Sequence, residues 1–235
     1  MKPVLILQHL SGDGPGYLGA WLARQGLAFE VRNTEAGDDY PARIDGYAGL
    51  AVLGGAMSAN DDLPSLRRAE DLIRQAMEQD RPVIGHCLGG QLMARALGMR
   101  VGASPAPEVG WQTIAPTTDP AARHWFGDAA AIRVFHWHYE SFEVPPGAAW
   151  LARSAACPHQ AFAIGPHLAM QFHIEVDADK VTRWSQDVPD RHAEDLRTHP
   201  SVQSPEAMRA GLPVELAAHQ ALADRIYARW ARGLA

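Results

Sequence analysis

The chain has only two cysteines, Cys87 and Cys157, among 235 residues. So few exclude a disulfide-held scaffold and make a reducing compartment the default. It also lacks any run of Lys and Arg: 21 basic residues face 27 acidic ones, for a net charge of −6. A surface of that kind has no basic stripe to neutralise phosphates, so no nucleic-acid partner is expected. Long apolar runs are missing too. The stretch from Val4 to Leu7 is far too short for a membrane span or a signal segment. The sequence therefore reads as cytoplasmic, with no membrane partner. There is no internal repeat, no low-complexity tract, no Ser/Gly linker and no phosphate-cradling G-x-x-x-x-G-K-[ST]. What is present is globular: 47% hydrophobic and 20% charged residues exclude a disordered or fibrous chain.

Short apolar runs alternate with helical patterns over the first hundred residues. Strands are expected at Pro3 to His9, Ala28 to Val31, Gly49 to Gly55 and Pro82 to Gly85. Helices fit Tyr17 to Gly26, the Leu66–Met77 face and Leu88 to Leu97. That alternation means βαβ units and a doubly wound, mostly parallel sheet with helices on both faces. Close-set apolar runs at Thr113-Ile114, Ala131–Phe135, Ala149–Leu151, Ala161–Ile164 and Leu168–Phe172 suggest antiparallel strands added at the sheet edge. After Asp177 the pattern turns helical. Val214, Leu216, Ala217, Gln220, Ala223, Ile226, Tyr227 and Trp230 form the stripe of a long terminal helix, either core or partner surface, the latter allowing a homodimer.

The chemistry-bearing segment is Gly85-His86-Cys87-Leu88-Gly89-Gly90-Gln91. A buried strand ends, a cysteine follows at once and a helix begins. Such an elbow presents its side chain at the carboxyl edge of a parallel sheet, where ligands bind. Gly85 and Gly89 relieve the crowding of the turn, and the helix N-terminus favours a thiolate. A cysteine nucleophile needs a base, and the base an orienting group. Gln171-Phe172-His173-Ile174-Glu175 offers both, because side chains two apart in an extended segment share a face. An oxyanion needs donors, and the backbone N–H groups of Gly55 and Leu88 are the natural pair. Cys157 has no elbow and reads as an unpaired structural thiol. His136 and His138 could face one side of a strand like metal ligands, but no third ligand stands at suitable spacing, so no metal site is expected.

On these motifs the chain resembles the class I glutamine amidotransferases over about residues 1–180. Glu108-Val109-Gly110-Trp111 and His136-Trp137-His138-Tyr139-Glu140-Ser141-Phe142 resemble the stand-alone branch. The resemblance implies a flavodoxin-like domain at 1–180, with 181–235 a helical extension packed on it. It implies Cys87, His173 and Glu175 as a triad without a cofactor. Gln91, His138 and Tyr139 then hold the glutamyl group, although His138 reads equally well as a packed, hydrogen-bonded histidine. Two departures stand out: Ile174 replaces the family's usual Pro, and His86 either tunes Cys87 or points into the sheet. The implied substrate is glutamine or a γ-glutamyl compound. Ammonia would pass to a separate synthetase subunit or acceptor, or the chain would act as a stand-alone γ-glutamyl hydrolase. A reading of another class is a non-catalytic regulatory or binding module on the same fold.

Overall fold

A computed structural model describes residues 2–234. The first hundred residues form β1 (Val4–Gln8), α1 (Gly16–Arg24), β2 (Phe29–Asn33), β3 (Gly49–Val52), α2 (Pro64–Glu78), β4 (Val83–His86) and α3 (Leu88–Ala96). Next come β5 (Val101–Pro116), α4 (Pro120–Phe126), β6 (Ile132–Phe142), β7 (Ala149–Arg153), β8 (Ala161–Ile164) and β9 (His167–Met170). Helices α5 (Ala178–Gln186), α6 (His192–Thr198) and α7 (Pro205–Trp230) follow.

Among the described residues the strands make one sheet of nine, ordered β2-β1-β3-β4-β9-β8-β7-β5-β6. Strands β2, β1, β3, β4 and β9 are parallel, and the pairings from β9 through β6 are antiparallel. Residues two apart on a strand share a face. Val4 and Ile6 of β1 accordingly pack with Leu18, Trp21, Ile226, Tyr227 and Trp230 from α1 and α7. Leu5 and Leu7 pack instead with Leu66, Leu72, Leu88 and Leu92 from α2 and α3. Each such fully buried aliphatic side chain contributes roughly 1.5–3 kcal/mol. The expected α/β class, with antiparallel strands added to a parallel core and helices on both faces, is what the chain adopts.

Three expectations need correction. The runs at Thr113-Ile114 and Ala131–Phe135 belong to a long ribbon of 16- and 11-residue strands, β5 and β6. Its first half was hidden because Ser104, Pro105, Ala106 and Pro107 carry no apolar alternation, and the β5–β6 register shifts between Ala103 and Glu108. The run ending at Phe172 is a strand only to Met170. In α7, Val214 is 73% exposed and Ala217 is exposed; the buried side chains are Met208, His219, Leu222, Ala223, Ile226, Tyr227 and Trp230. Helix α7 therefore buries a histidine that an apolar-periodicity argument discards. Among the described residues no helix is long and apolar enough to cross a membrane.

Candidate functional site

Strand β4 ends on His86, and Cys87 takes a φ of +50° before α3 begins at Leu88. A non-glycine residue there is strained, and such strain is held where the surroundings over-determine it. The Cys87 N–H donates to the Met170 carbonyl at 2.8 Å, and its own carbonyl accepts from the Gln91 N–H at 3.0 Å. The flanking glycines are dictated by space. A Cβ on Gly85 would lie 2.6 Å from the backbone of Gly89, and one on Gly89 would run into the Val52 carbonyl. The Cys87 side chain lines a cavity of about 880 Å³, together with His173, Gly55, Gln91, Trp137 and Tyr139.

His173 and Glu175 lie beyond the end of β9, in irregular backbone. Tertiary bonds supply the order that a strand would have given. The His173 N–H donates to Phe135 O at 2.8 Å, and its carbonyl accepts from His219 Nε2 of α7 at 2.9 Å. The Glu175 carbonyl accepts from the Tyr17 N–H at 2.8 Å. Thus β6, α7 and the start of α1 all converge on one hexapeptide. His173 Nδ1 sits 2.6 Å from Glu175 Oε1, while a side-chain hydrogen bond joins the ring to Cys87.

The Glu175 carboxylate is fully buried and is the hub of the charges. Lys180 Nζ of α5, itself 1% exposed, stands 3.5 Å from Oε1, and His86 Nε2 is 4.0 Å from Oε2. Burial pushes the Glu175 acid up, yet His173 and Lys180 outweigh it and hold the group well below the usual carboxylate range. Burial pulls His173 down, but Glu175 and Cys87 raise it from 6.5 to about 10. His86 experiences mainly burial, falls to about 4 and is neutral at pH 7. It faces the Tyr227 hydroxyl at 3.2 Å behind the Glu175 carboxylate, so it lies behind Glu175 on the side away from the cavity.

Gln91 Nε2 donates to the Glu140 carbonyl at 3.1 Å and to Gln171 Oε1 at 3.4 Å, and Gln171 Nε2 reaches Cys87 Sγ at 3.5 Å. Tyr139 lines the cavity beneath the Arg191 guanidinium, 3.2 Å from its ring centroid. His138 borders the cavity as well, but both its ring nitrogens are engaged, one with Glu140 O at 3.1 Å and one with Glu108 Oε2 at 3.0 Å. Gly55 lines the cavity, and the Leu88 N–H belongs to the first turn of α3, where helical donors are left free. All eight residues singled out in the sequence thus border the cavity or adjoin it. Cys157 is free and buried elsewhere, its thiol raised by burial and directed at His159 O at 3.7 Å.

Sequence reasoning missed Lys180, Trp184 and the amide of Gln171. Trp184 packs edge-on against His173 with ring centroids 4.8 Å apart, and its indole N–H donates to Asp13 at 2.5 Å. No motif marks Lys180 or Trp184; their relation to the site exists only once α5 folds back. Chemically the set can hold a sulfur nucleophile beside an imidazolium whose other nitrogen is fixed by a carboxylate.

Residues 20–183 match the family described as glutamine amidotransferase class-I. The chain is 31% identical over 201 residues to the glutamine amidotransferase-like protein YfeJ of Salmonella typhimurium, spanning 80% of this chain and 83% of that one. It is 31% identical to a glutamine-hydrolysing GMP synthase of Aeropyrum pernix over 80% of this chain but 35% of that one. It is 27% identical to γ-glutamyl peptidase 3 of Arabidopsis thaliana over 58% of this chain and 57% of the relative. The crystal structure of a glutamine amidotransferase from Methylobacillus flagellatus superposes with a TM-score of 0.96 at 41% identity, covering all of this chain and 96% of that one.

Proposed function

Because this chain belongs to the class I glutamine amidotransferase family, we propose that it hydrolyses the γ-amide of glutamine or a γ-glutamyl compound through a thioester on Cys87. The observation that carries the reading is the pre-assembled set at one cavity. Cys87 stands on a strained elbow, hydrogen-bonded to His173, and Glu175 holds the far nitrogen of that ring at 2.6 Å.

In the first half-reaction the Cys87 sulfur attacks the γ-carbonyl carbon as a thiolate. The Gly55 and Leu88 N–H groups donate to the resulting oxyanion. The tetrahedral adduct collapses as His173 gives its proton to the leaving ammonia or amine, and the C–N bond breaks. Water then attacks the thioester carbon, His173 takes its proton, and glutamate leaves with regeneration of the thiolate. Glu175 fixes the ring tautomer and balances the imidazolium charge. Gln91 and Tyr139 bound the glutamyl group, with His138 buttressing the wall behind them through Glu108 and the Glu140 carbonyl.

The size of the cavity favours a substrate larger than glutamine. About 880 Å³ lies toward the upper end of pockets that enclose drug-sized ligands. That supports a γ-glutamyl conjugate, the chemistry named for the Arabidopsis relative. The GMP synthase relative supports the other outlet, ammonia handed to a separate synthetase subunit. The two are told apart by assaying the isolated protein for ammonia from glutamine and for amine from γ-glutamyl dipeptides. Turnover of either substrate, lost in Cys87→Ser, is the expected result. Dipeptide turnover by the chain alone identifies the stand-alone hydrolase, while glutaminase activity that appears only with a second protein identifies the subunit. Unchanged turnover in Cys87→Ser overturns the proposal, as does inactivity toward every γ-glutamyl amide with and without a partner.

A further inference from the structure

Behind the cavity wall the β5–β6 ribbon assembles a second cluster that the thioester chemistry does not use. Glu108 and His138 are directly opposed across the ribbon, and His136 lies two residues along on the same face. The ribbon's irregularity immediately precedes Glu108, and bulges of this kind re-aim a side chain. One ligand atom from each of Glu108, His136 and His138 lies within 4.8 Å of the others, and all three residues are buried. We propose that Glu108, His136 and His138 bind a divalent transition-metal ion of the zinc type.

Three observations point to a ligand. First, His136 is fully buried, yet neither its Nδ1 nor its Nε2 has a hydrogen-bond partner. Leaving such a group unsatisfied in the interior costs roughly 1–3 kcal/mol, and an ion satisfies it directly. Burial also pushes His136 down to about 3, which keeps the neutral imidazole that ligates metals.

Second, the surroundings of the cluster resemble an outer coordination shell. His138 Nδ1 donates to the Glu140 carbonyl at 3.1 Å, and ligating histidines commonly hold their other nitrogen in this way. Without an ion, Nε2 would also have to donate to Glu108 at 3.0 Å, leaving an imidazolium in the interior. With an ion between them, Nε2 ligates and His138 stays neutral. The Glu108 carboxylate is in turn steadied by the Gln160 amide N–H.

Third, Gln160 Oε1 is itself buried without a partner beside the cluster and is available as a fourth ligand. Two imidazoles and a carboxylate suit zinc at about 2.0–2.2 Å per bond. Atoms that far from a common ion are at most about 4.4 Å apart, so side-chain rotations of a few tenths of an ångström close the site.

The test is metal content. The protein is unfolded in chelator, refolded with and without ZnCl₂, dialysed and analysed by mass spectrometry, with Cys87 free and with Cys87 alkylated. About one zinc per chain in both forms is expected, with at least a tenfold loss in Glu108→Gln and His136→Ala. Should those variants not fold, the unmutated chain refolded with CoCl₂ gives the same answer. A visible band of a tetrahedral nitrogen–oxygen site without thiolate charge transfer supports the cluster. Zinc below about 0.1 per chain overturns the proposal. So does zinc that vanishes on alkylating Cys87, or cobalt that shows thiolate charge transfer, because the ion then sits at Cys87 and His173.

Discussion

Replacing Glu175 with Gln removes one charge from the interior and almost no volume. In the native chain His173 is raised from 6.5 to about 10 against burial, and Glu175 is the largest raising influence. Each tenfold change in proton affinity is about 1.4 kcal/mol, so the whole elevation corresponds to on the order of 5 kcal/mol in favour of the imidazolium. Without the carboxylate, burial wins and His173 becomes neutral at pH 7. The Gln amide N–H can also donate to Nδ1, selecting the tautomer that cannot accept a proton there. Lys180, 1% exposed, loses the carboxylate at 3.5 Å. Removing one partner of a buried pair typically costs about 3–5 kcal/mol. Turnover should fall roughly 10³- to 10⁴-fold, as when a triad's acidic member is neutralised in other enzymes. The assay pairs glutamate release with an NMR titration of His173, after circular dichroism has confirmed folding. Activity within tenfold of native, with His173 still titrating near 10, would refute the reasoning.

Three further perturbations probe the same construction. In Gly54→Ala the new Cβ would stand 2.7 Å from His173 Cε1 and displace the ring. Turnover should drop at least about 30-fold with the denaturation midpoint nearly unchanged, because a misplacement of an ångström alone costs about 100-fold. Tyr227→Phe strips the hydroxyl that faces His86 and should lower stability by about 1–2 kcal/mol in urea unfolding, with a loss under 0.5 kcal/mol counting against the contact. Stability should also depend on pH with a known sign. His9, His86 and His219 are lowered from 6.5 to about 4 by burial, so the unfolded chain binds more protons between those values. Their effect is absent above pH 6.5 and destabilises as pH falls toward 4, by up to roughly 3 kcal/mol each. His173 is raised, so its contribution is full below 6.5 and lost as pH climbs through about 10. Urea midpoints should therefore peak near neutrality, and a flat profile from pH 4 to 7 would contradict the burial of these rings.

Much of this was legible because the parallel half of the fold writes itself locally. Val83–Gly85 is apolar on both faces, Cys87 follows immediately, and glycines stand wherever a Cβ would collide, as Gly85 and Gly89 show. The His173–Glu175 pair was legible from its i, i+2 spacing, although the strand assumed for it stops at Met170. What holds those two residues is nonlocal, through Phe135, His219 and Tyr17, and no sequence window contains those partners. Lys180 was invisible for a related reason: on an isolated α5 it is one more solvated lysine. Glu108 was quoted only as part of a strand entry. Its nearness to His136 and His138 depends on ribbon register, which a stretch containing Pro105 and Pro107 conceals.

The central claim is that Cys87, and not Cys157, is the nucleophile toward a γ-glutamyl carbonyl. Incubation with a glutamine-analogue electrophile followed by peptide mass mapping tests it most directly. The account predicts about one label per chain, on Cys87, blocked by Cys87→Ser and slowed by Glu175→Gln. Labelling confined to Cys157, or equal labelling of both thiols at a rate indifferent to Glu175, would contradict it.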